Sequence, residues 1–274
     1  MFDTMNEAKN AIEAYNTALK ASSSNIANMN VTGYKRVDIS FQSIFERVLN
    51  QGTAATTNLG GTNPRQLGQG MALSNISVDF SAGEYISGQG LDLAISGQGL
   101  FIVSPDGGRN QLYTRAGNFE VDSAGNLTSN GMQVYGLDNS GALVAIAGLV
   151  SGNKAAYRWS IEGRLEYTAN PADDSPTYSD TGYRIAMTYF PNPNGLTQAQ
   201  GTSFAESAAS GRASTPQAPG GSVGSINPGQ LEQSNVFYLS ETIDAMELQR
   251  AMSGNLTVIK MASDLISQFI SKLS

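Results

Sequence analysis

The stretch from Gln230 to Ser274 carries Ala245, Leu248, Met252, Asn255, Ile259, Ala262, Ile266, Phe269 and Leu273, spaced alternately three and four residues apart. A stripe with this spacing, apolar except for Asn255, asks for a partner helix. The start of the chain repeats the pattern with Met5, Ala8, Ile12, Tyr15, Leu19, Ser22, Ile26 and Met29. Matching stripes at the two ends constrain the fold more than any other feature. They predict that the termini pair and that everything between them is an insertion. Read singly, each stripe also fits an ordinary amphipathic helix lying on a globular core.

Composition narrows the rest. At 274 residues the chain has room for one large domain or two. Only 14% of residues are charged while Gly numbers 30, a mix suited to strands and turns. A net charge of −7 argues against a nucleic-acid surface or a polybasic membrane anchor. No apolar run reaches the ~18 residues of a membrane span. No charged-then-apolar layout of a cleaved secretory signal is visible at the start. The chain has no His and no Cys. Cys/His zinc sites and Ser-His or Cys-His nucleophile pairs are thereby excluded. Its carboxylates fall in no recognisable catalytic spacing, so neither catalysis, nor a cofactor, nor a small-molecule substrate is expected. A carboxylate or Ser-Lys enzyme and a coiled-coil adhesin or phage-tail-like protein stay open as other classes. Lack of Cys is compatible with life outside the cytosol without disulfides.

Along the chain, a helix is predicted over residues 2–28, capped near Asn30-Val31-Thr32-Gly33. Lys35 and Arg36 then read as a solvated helix exit. Phe41, Ile44, Phe45 and Val48 read as a short helix, and residues 52–70 as an extended connector. Short strands are predicted from Leu73 to Phe190, around 76–80, 91–95, 100–103, 119–121, 132–135, 143–146, 157–161 and 183–190. Turn signals such as Asp106-Gly107-Gly108, Gly125-Asn126 and Glu162-Gly163 separate them. The glycines of 88–101 lack the following helix and the Lys of a phosphate loop, and are assigned to turns and bulges. Asp173, Asp174 and Asp180 lack a calcium-loop spacing and read as a solvated turn. Ser207 to Gly229, with Pro216, Pro219 and Pro228, reads as a second connector. Ser234 or Asn235 is positioned to cap the final helix.

Several of these runs carry a resemblance. Ser24-Asn25-Ile26-Ala27-Asn28-Met29-Asn30-Val31-Thr32-Gly33-Tyr34-Lys35-Arg36 resembles the N-terminal signature of bacterial flagellar rod and hook proteins. Gly60 to Pro64, Gly88 to Phe101, Tyr113 to Leu127, Tyr189 to Leu196 and Gly229 to Val236 are similar to later signatures of that family, as are Gln249-Arg250 and Asn255. One departure is the middle of the first helix, where Ala14-Tyr15-Asn16 replaces the usual Ser-Gly pair, a change that bears on close helix packing.

The resemblance implies an α+β fold: a coiled-coil-like helical domain of paired N- and C-terminal helices, with an inserted, mostly antiparallel all-β domain. The expected division is 1–36 with 232–274 for assembly, 37–72 with 205–231 as connecting region, and 73–204 as outer β-domain. The implied role is a structural rod or hook subunit that assembles helically into a hollow, torque-transmitting tube. The expected partners are further copies of the chain, adjacent rod, hook or junction proteins, and the flagellar export apparatus, with no nucleic acid. The expected location is the basal body or hook, after export to the periplasm or beyond. The apolar run Phe41–Val48 resembles the family's export-recognition residues. The residues expected to carry assembly are Met5, Ile12, Leu19, Ile26, Leu248, Met252, Asn255, Ile259, Ile266 and Phe269.

Overall fold

The computed structural model describes residues 2–43, 47–50, 60, 61, 63, 65–67, 70–150, 154–173 and 175–273. They form an α+β fold in two compact units. One unit gathers nearly all of the first helix, residues 37–76 and the last helix, and the other Ala27–Arg36 and Ser77–Phe237.

In the first unit, α1 spans Phe2–Ala27 and α2 spans Tyr238–Leu273. At 1.5 Å per residue they are about 39 and 54 Å long. The deepest line on α1 is Ala8, Ala11, Ala14, Ala18, Ser22 and Asn25, all buried. The larger members of the expected stripe, Met5, Ile12, Tyr15, Leu19 and Ile26, flank it half-buried. On α2, Ala245, Leu248, Met252, Asn255, Ile259 and Ile266 are half-buried and Ala262 is buried. Phe269 is 65% exposed, and the side chain of Leu273 lies outside the described residues.

Polar contacts tie these pieces together. Ser22 Oγ donates to Glu241 Oε2 at 2.7 Å, and Asn25 Nδ2 donates to the same oxygen at 3.3 Å. Asn25 also closes a two-way pair with Val37, donating to its carbonyl and accepting from its N–H, each at 3.0 Å. Glu241 sits in the first turn of α2, where a carboxylate is favoured by the unpaired N–H groups of the helix start. A cavity of about 380 Å³ is lined by Ala8 and Ala11 of α1 and by Asn255 and Val258 of α2.

The described residues of Phe41–Val48, where a short helix was expected, are strand: 41–43 and 47–48. Val37–Ser43 is a strand paired with Met71–Val78, and Arg47–Asn50 pairs antiparallel with Arg65–Leu67. Val37, Ile39 and Phe41 alternate with polar residues, and this period of two prevails over the helical spacing that Phe41 also satisfies. Phe41 meets Tyr15 edge-on, ring centres 5.8 Å apart. Ile44, Phe45, most of the first connector and the side chain of Val48 lie outside the described residues.

The second unit is built on a twelve-stranded sheet. Its central path runs Tyr157–Trp159, Arg164–Tyr167, Ser179–Ile185, Met132–Leu137, Leu100–Ser104, Leu112–Thr114, Ser203–Ala205 and Thr197–Gln198. Each of these neighbours is antiparallel to the next. Leu100–Ser104 is buried along its whole length and feeds two cores. Phe101 and Val103 enter a cluster with Phe119, Trp159 and Ile185, while Leu100 and Ile102 enter one with Tyr113, Phe190 and Phe204. Successive side chains leave a strand on opposite faces, so one strand can serve both.

The second connector contains structure that its Pro and Gly content conceals. Ser225–Pro228 pairs with Leu93–Ser96, and Gln230–Glu232 with Tyr85–Ser87. Part of the expected 170–182 loop is strand as well. Asp180 lies in Ser179–Ile185 and accepts from Arg164 Nη1 at 2.6 Å; Asp174 is outside the described residues. Two hairpin turns share one device. Asp122 Oδ1 accepts the N–H groups of Ala124 and Asn126, and Asp138 Oδ1 those of Ser140 and Ala142.

Candidate assembly site

Three distant segments of the second unit meet at a buried ionic node. Gly33 donates its N–H to the Glu232 carbonyl at 2.8 Å. It has φ +68°, and a Cβ there would lie 2.4 Å from the backbone N of Ala116. Only glycine satisfies both demands, so the approach of residues 33 and 116 is written into the sequence. Gly117 allows a similar approach, since a Cβ on it would fall 1.6 Å from the Leu93 carbonyl oxygen.

Charges fill the space these glycines open. Lys35 Nζ donates to Glu232 Oε1 at 2.5 Å and to the Ser81 carbonyl at 2.7 Å. Arg115 Nη1 donates to Glu232 Oε2 at 3.3 Å and to the Ile95 carbonyl at 3.2 Å, and Nη2 to the Gly97 carbonyl at 2.6 Å. The Gly83 N–H adds a bond to Glu232 Oε1. The side chains of Lys35 and Glu232 are 0% exposed and that of Arg115 5%. The expected solvated exit at Lys35 is therefore wrong: the ammonium is inside. A buried charge persists when it is paired and hydrogen-bonded; these carbonyls take up the Lys35 ammonium and both terminal nitrogens of Arg115, and only Arg115 Nε is left without a partner. Burial pulls the Lys35 ammonium below its usual range, and the Glu232 carboxylate opposes it. Burial acts on Arg115 in the same direction, with Glu232 again opposing. Two cations share one carboxylate, leaving the triad with a surplus positive charge.

Asn235 completes the junction. Its Oδ1 accepts the Arg36 N–H at 2.8 Å and its Nδ2 donates to the Asp79 carbonyl at 2.8 Å. The side-chain amide stands in for a strand partner between two backbones. It is therefore engaged away from α2, and Ser234 Oγ accepts from the N–H of Val236. Sequence reasoning missed the node, although its residues lie in three of the quoted runs: Gly33-Tyr34-Lys35-Arg36, Thr114-Arg115-Ala116-Gly117 and Leu231-Glu232-Gln233-Ser234-Asn235.

The second feature is an uncovered face of α2. Leu239, Ile243, Met246, Leu256, Met261 and Leu265 are exposed. At 100° per residue Leu239, Ile243, Met246 and Met261 lie opposite the Leu248–Ile259–Ile266 stripe, with Leu265 at the edge of that face and Leu256 beside the stripe. The helix is thus apolar on two sides. Asn255, the polar member of the half-buried stripe, donates to the carbonyl of Ala251 one turn back, and Ser22 is bonded to Glu241 rather than to it.

The buried ionic clamp and the helix apolar on two sides are features of packing. Comparison with known proteins points to structural relatives. The family described as flagella basal body rod protein matches residues 5–35, and the flagellar hook protein FlgE/F/G D1 domain matches 94–154. The flagellar basal-body rod protein FlgG of Bacillus subtilis is 29% identical over 93% of both chains. FlgG of Buchnera aphidicola is 28% identical over 95% of this chain and 96% of its own. The flagellar hook protein FlgE of Borreliella burgdorferi is 34% identical over 50% of this chain and spans only 31% of its own length. The chain is thus similar to flagellar rod proteins along nearly its whole length and to hook proteins over half of it, which supports a structural axial component of the bacterial flagellum.

Proposed function

We propose that this chain is a rod subunit that polymerises helically with its own copies into a hollow tube and transmits torque by packing alone. The observation that carries this is the second apolar face of α2, which a single chain leaves in water. Contiguous exposed apolar surface of this kind marks a contact site. Neighbouring copies cover it in this reading, and a contact that does not close on itself propagates a filament. The alignment lengths favour rod over hook, because the FlgG relatives match along nearly their whole length and the hook proteins along less than a third.

In the same reading the termini pair as an antiparallel coiled coil. The Ser22–Glu241 hydrogen bond and the cavity shared by Ala8, Ala11, Asn255 and Val258 support one register. Met5, Ile12, Leu19, Ile26, Leu248, Met252, Asn255, Ile259, Ile266 and Phe269 line the helical seams. Residues 1–36 with 232–274 serve assembly, 37–72 with 205–231 join, and 73–204 face outward. Adjacent rod, hook or junction proteins cap the polymer. The chain reaches it through the flagellar export apparatus, with Phe41 contributing to recognition.

The test is Leu265→Asp on the exposed face beside Ile259→Asp on the half-buried one. Both variants keep the β-unit folded by circular dichroism and fail to form polymers visible by electron microscopy. Wild-type polymer yield from either variant refutes the reading.

A further inference from the structure

The second unit holds a cavity of about 330 Å³ whose walls are mainly apolar, from Phe80, Leu100, Tyr189 and Phe190, with Gln98 at its rim. Its charged wall is Arg115, whose buried Nε has no hydrogen-bond partner. The cavity thus combines greasy walls with a cation from a node that holds one carboxylate for two cations. A complementary occupant offers an apolar side chain with a carboxylate beside it.

The same unit presents such a pair. Ile161 is 82% exposed, the highest value among the described large hydrophobics, and Glu162 follows it. Both sit at the tip of the hairpin between Tyr157–Trp159 and Arg164–Tyr167, closed by the Gly163 N–H donating to the Ser160 carbonyl at 3.0 Å. The tip is held rigid before any contact, which lowers the entropic cost of docking. The Glu162 carboxylate lies 3.5 Å from Arg164 and 3.7 Å from Arg184, with its side chain 73% exposed. Surface pairs of that kind hold a carboxylate weakly.

We propose that the Ile161–Glu162 tip of one copy seats in the Arg115 cavity of the next. This rests on the self-assembly reading above and adds a contact made by the β-units. Tip and cavity are different surfaces of one chain, so the contact is head-to-tail and repeats from copy to copy. One side chain in one pocket is far smaller than the roughly 1,200–2,000 Å² of a standing interface. The contact therefore sets the orientation of subunits that other surfaces bring together.

The absence of Cys gives a clean test. Full-length chain carrying Ile161→Cys and Gln98→Cys is concentrated under polymerising conditions and mildly oxidised, then run on a non-reducing gel. The expected result is a ladder of covalent multimers, with each single variant stopping at dimer. A control pair, Ile161→Cys with Ser140→Cys, uses an exposed turn residue and gives no ladder. Equal ladders from both pairs, species no larger than dimer, or closure within one chain each overturn the contact. Electron microscopy of the same samples separates the two readings. Polymers without a ladder leave self-assembly standing and remove only this contact, whereas absence of both removes both.

Discussion

Lys35 Nζ and Glu232 Oε1 lie 2.5 Å apart in a fully buried pair, although 197 residues separate them in sequence. The short first pass of the chain through the second unit, residues 27–36, and its last stretch are joined there by opposite charges. With Arg115 as third member, Glu232 is the one carboxylate of the triad.

Removing that carboxylate has a larger effect than removing either cation. Glu232→Gln leaves two buried cations without a counter-charge, a loss of about 3–5 kcal/mol. Lys35→Met removes the surplus positive charge and leaves the Arg115–Glu232 pair, so its loss is smaller. Urea unfolding of the two variants checks the order. A Lys35→Met protein less stable than Glu232→Gln shows that net charge does not govern the node.

Gly33→Ala tests the close approach beneath it. A left-handed backbone costs a non-glycine residue about 1–2 kcal/mol before any clash. Here the new methyl also meets the Ala116 backbone, so the loss exceeds that figure. Thermal unfolding measures it, and a loss below ~1 kcal/mol contradicts the geometry.

The aspartate turns predict the response to acid. Asp122 and Asp138 are both held below the usual value of 3.8, chiefly by side-chain hydrogen bonds from Asn126 and Ser140 respectively. Acids with depressed native values add stability that is complete above 3.8 and lost as pH falls below it towards the folded-state value. Urea midpoints measured downward from pH 5 therefore fall, and the Asp122→Asn, Asp138→Asn double variant shows a shallower fall. An unchanged slope in the double variant removes these turns from the account.

Asn255 lies in an otherwise apolar stripe between Met252 and Ile259. A lone polar residue there fixes register at a cost in stability. Asn255→Leu is expected to associate more readily and less uniformly, giving aberrant polymers beside regular ones, with a milder defect in Asn255→Ala. Uniform polymers and full motility from Asn255→Leu show that the position sets no register.

What the sequence revealed follows the range of the forces involved. The α2 stripe was legible because a long helix repeats its spacing many times, and its half-buried face follows that stripe from Ala245 to Ile266. The deepest line of α1 was not, because Ala8, Ala11, Ala14 and Ala18 carry little hydrophobic signal although all four are buried. Lys35 was misread because a lone lysine after a helix looks solvated, and its partner is far along the chain. Ser225–Pro228 and Gln230–Glu232 were hidden by their Pro and Gly neighbours and by being short strands whose pairing is non-local. The tightest runs, around Gly33, Arg115 and Glu232, were visible as signatures before their physical reason was known.

Asn235 spans the gap between Arg36 and Asp79, and Lys35 meets Glu232 a few residues away. The short first pass of the chain through this unit, residues 27–36, and its last stretch are therefore fastened to each other, and Asp79, just after the chain re-enters, is held by the same amide. A tension pulling these segments apart is balanced across that fastening before it reaches the hairpins beyond. Under that load the hairpins are mechanically idle, so their loops can lengthen or shorten without weakening the fastening itself.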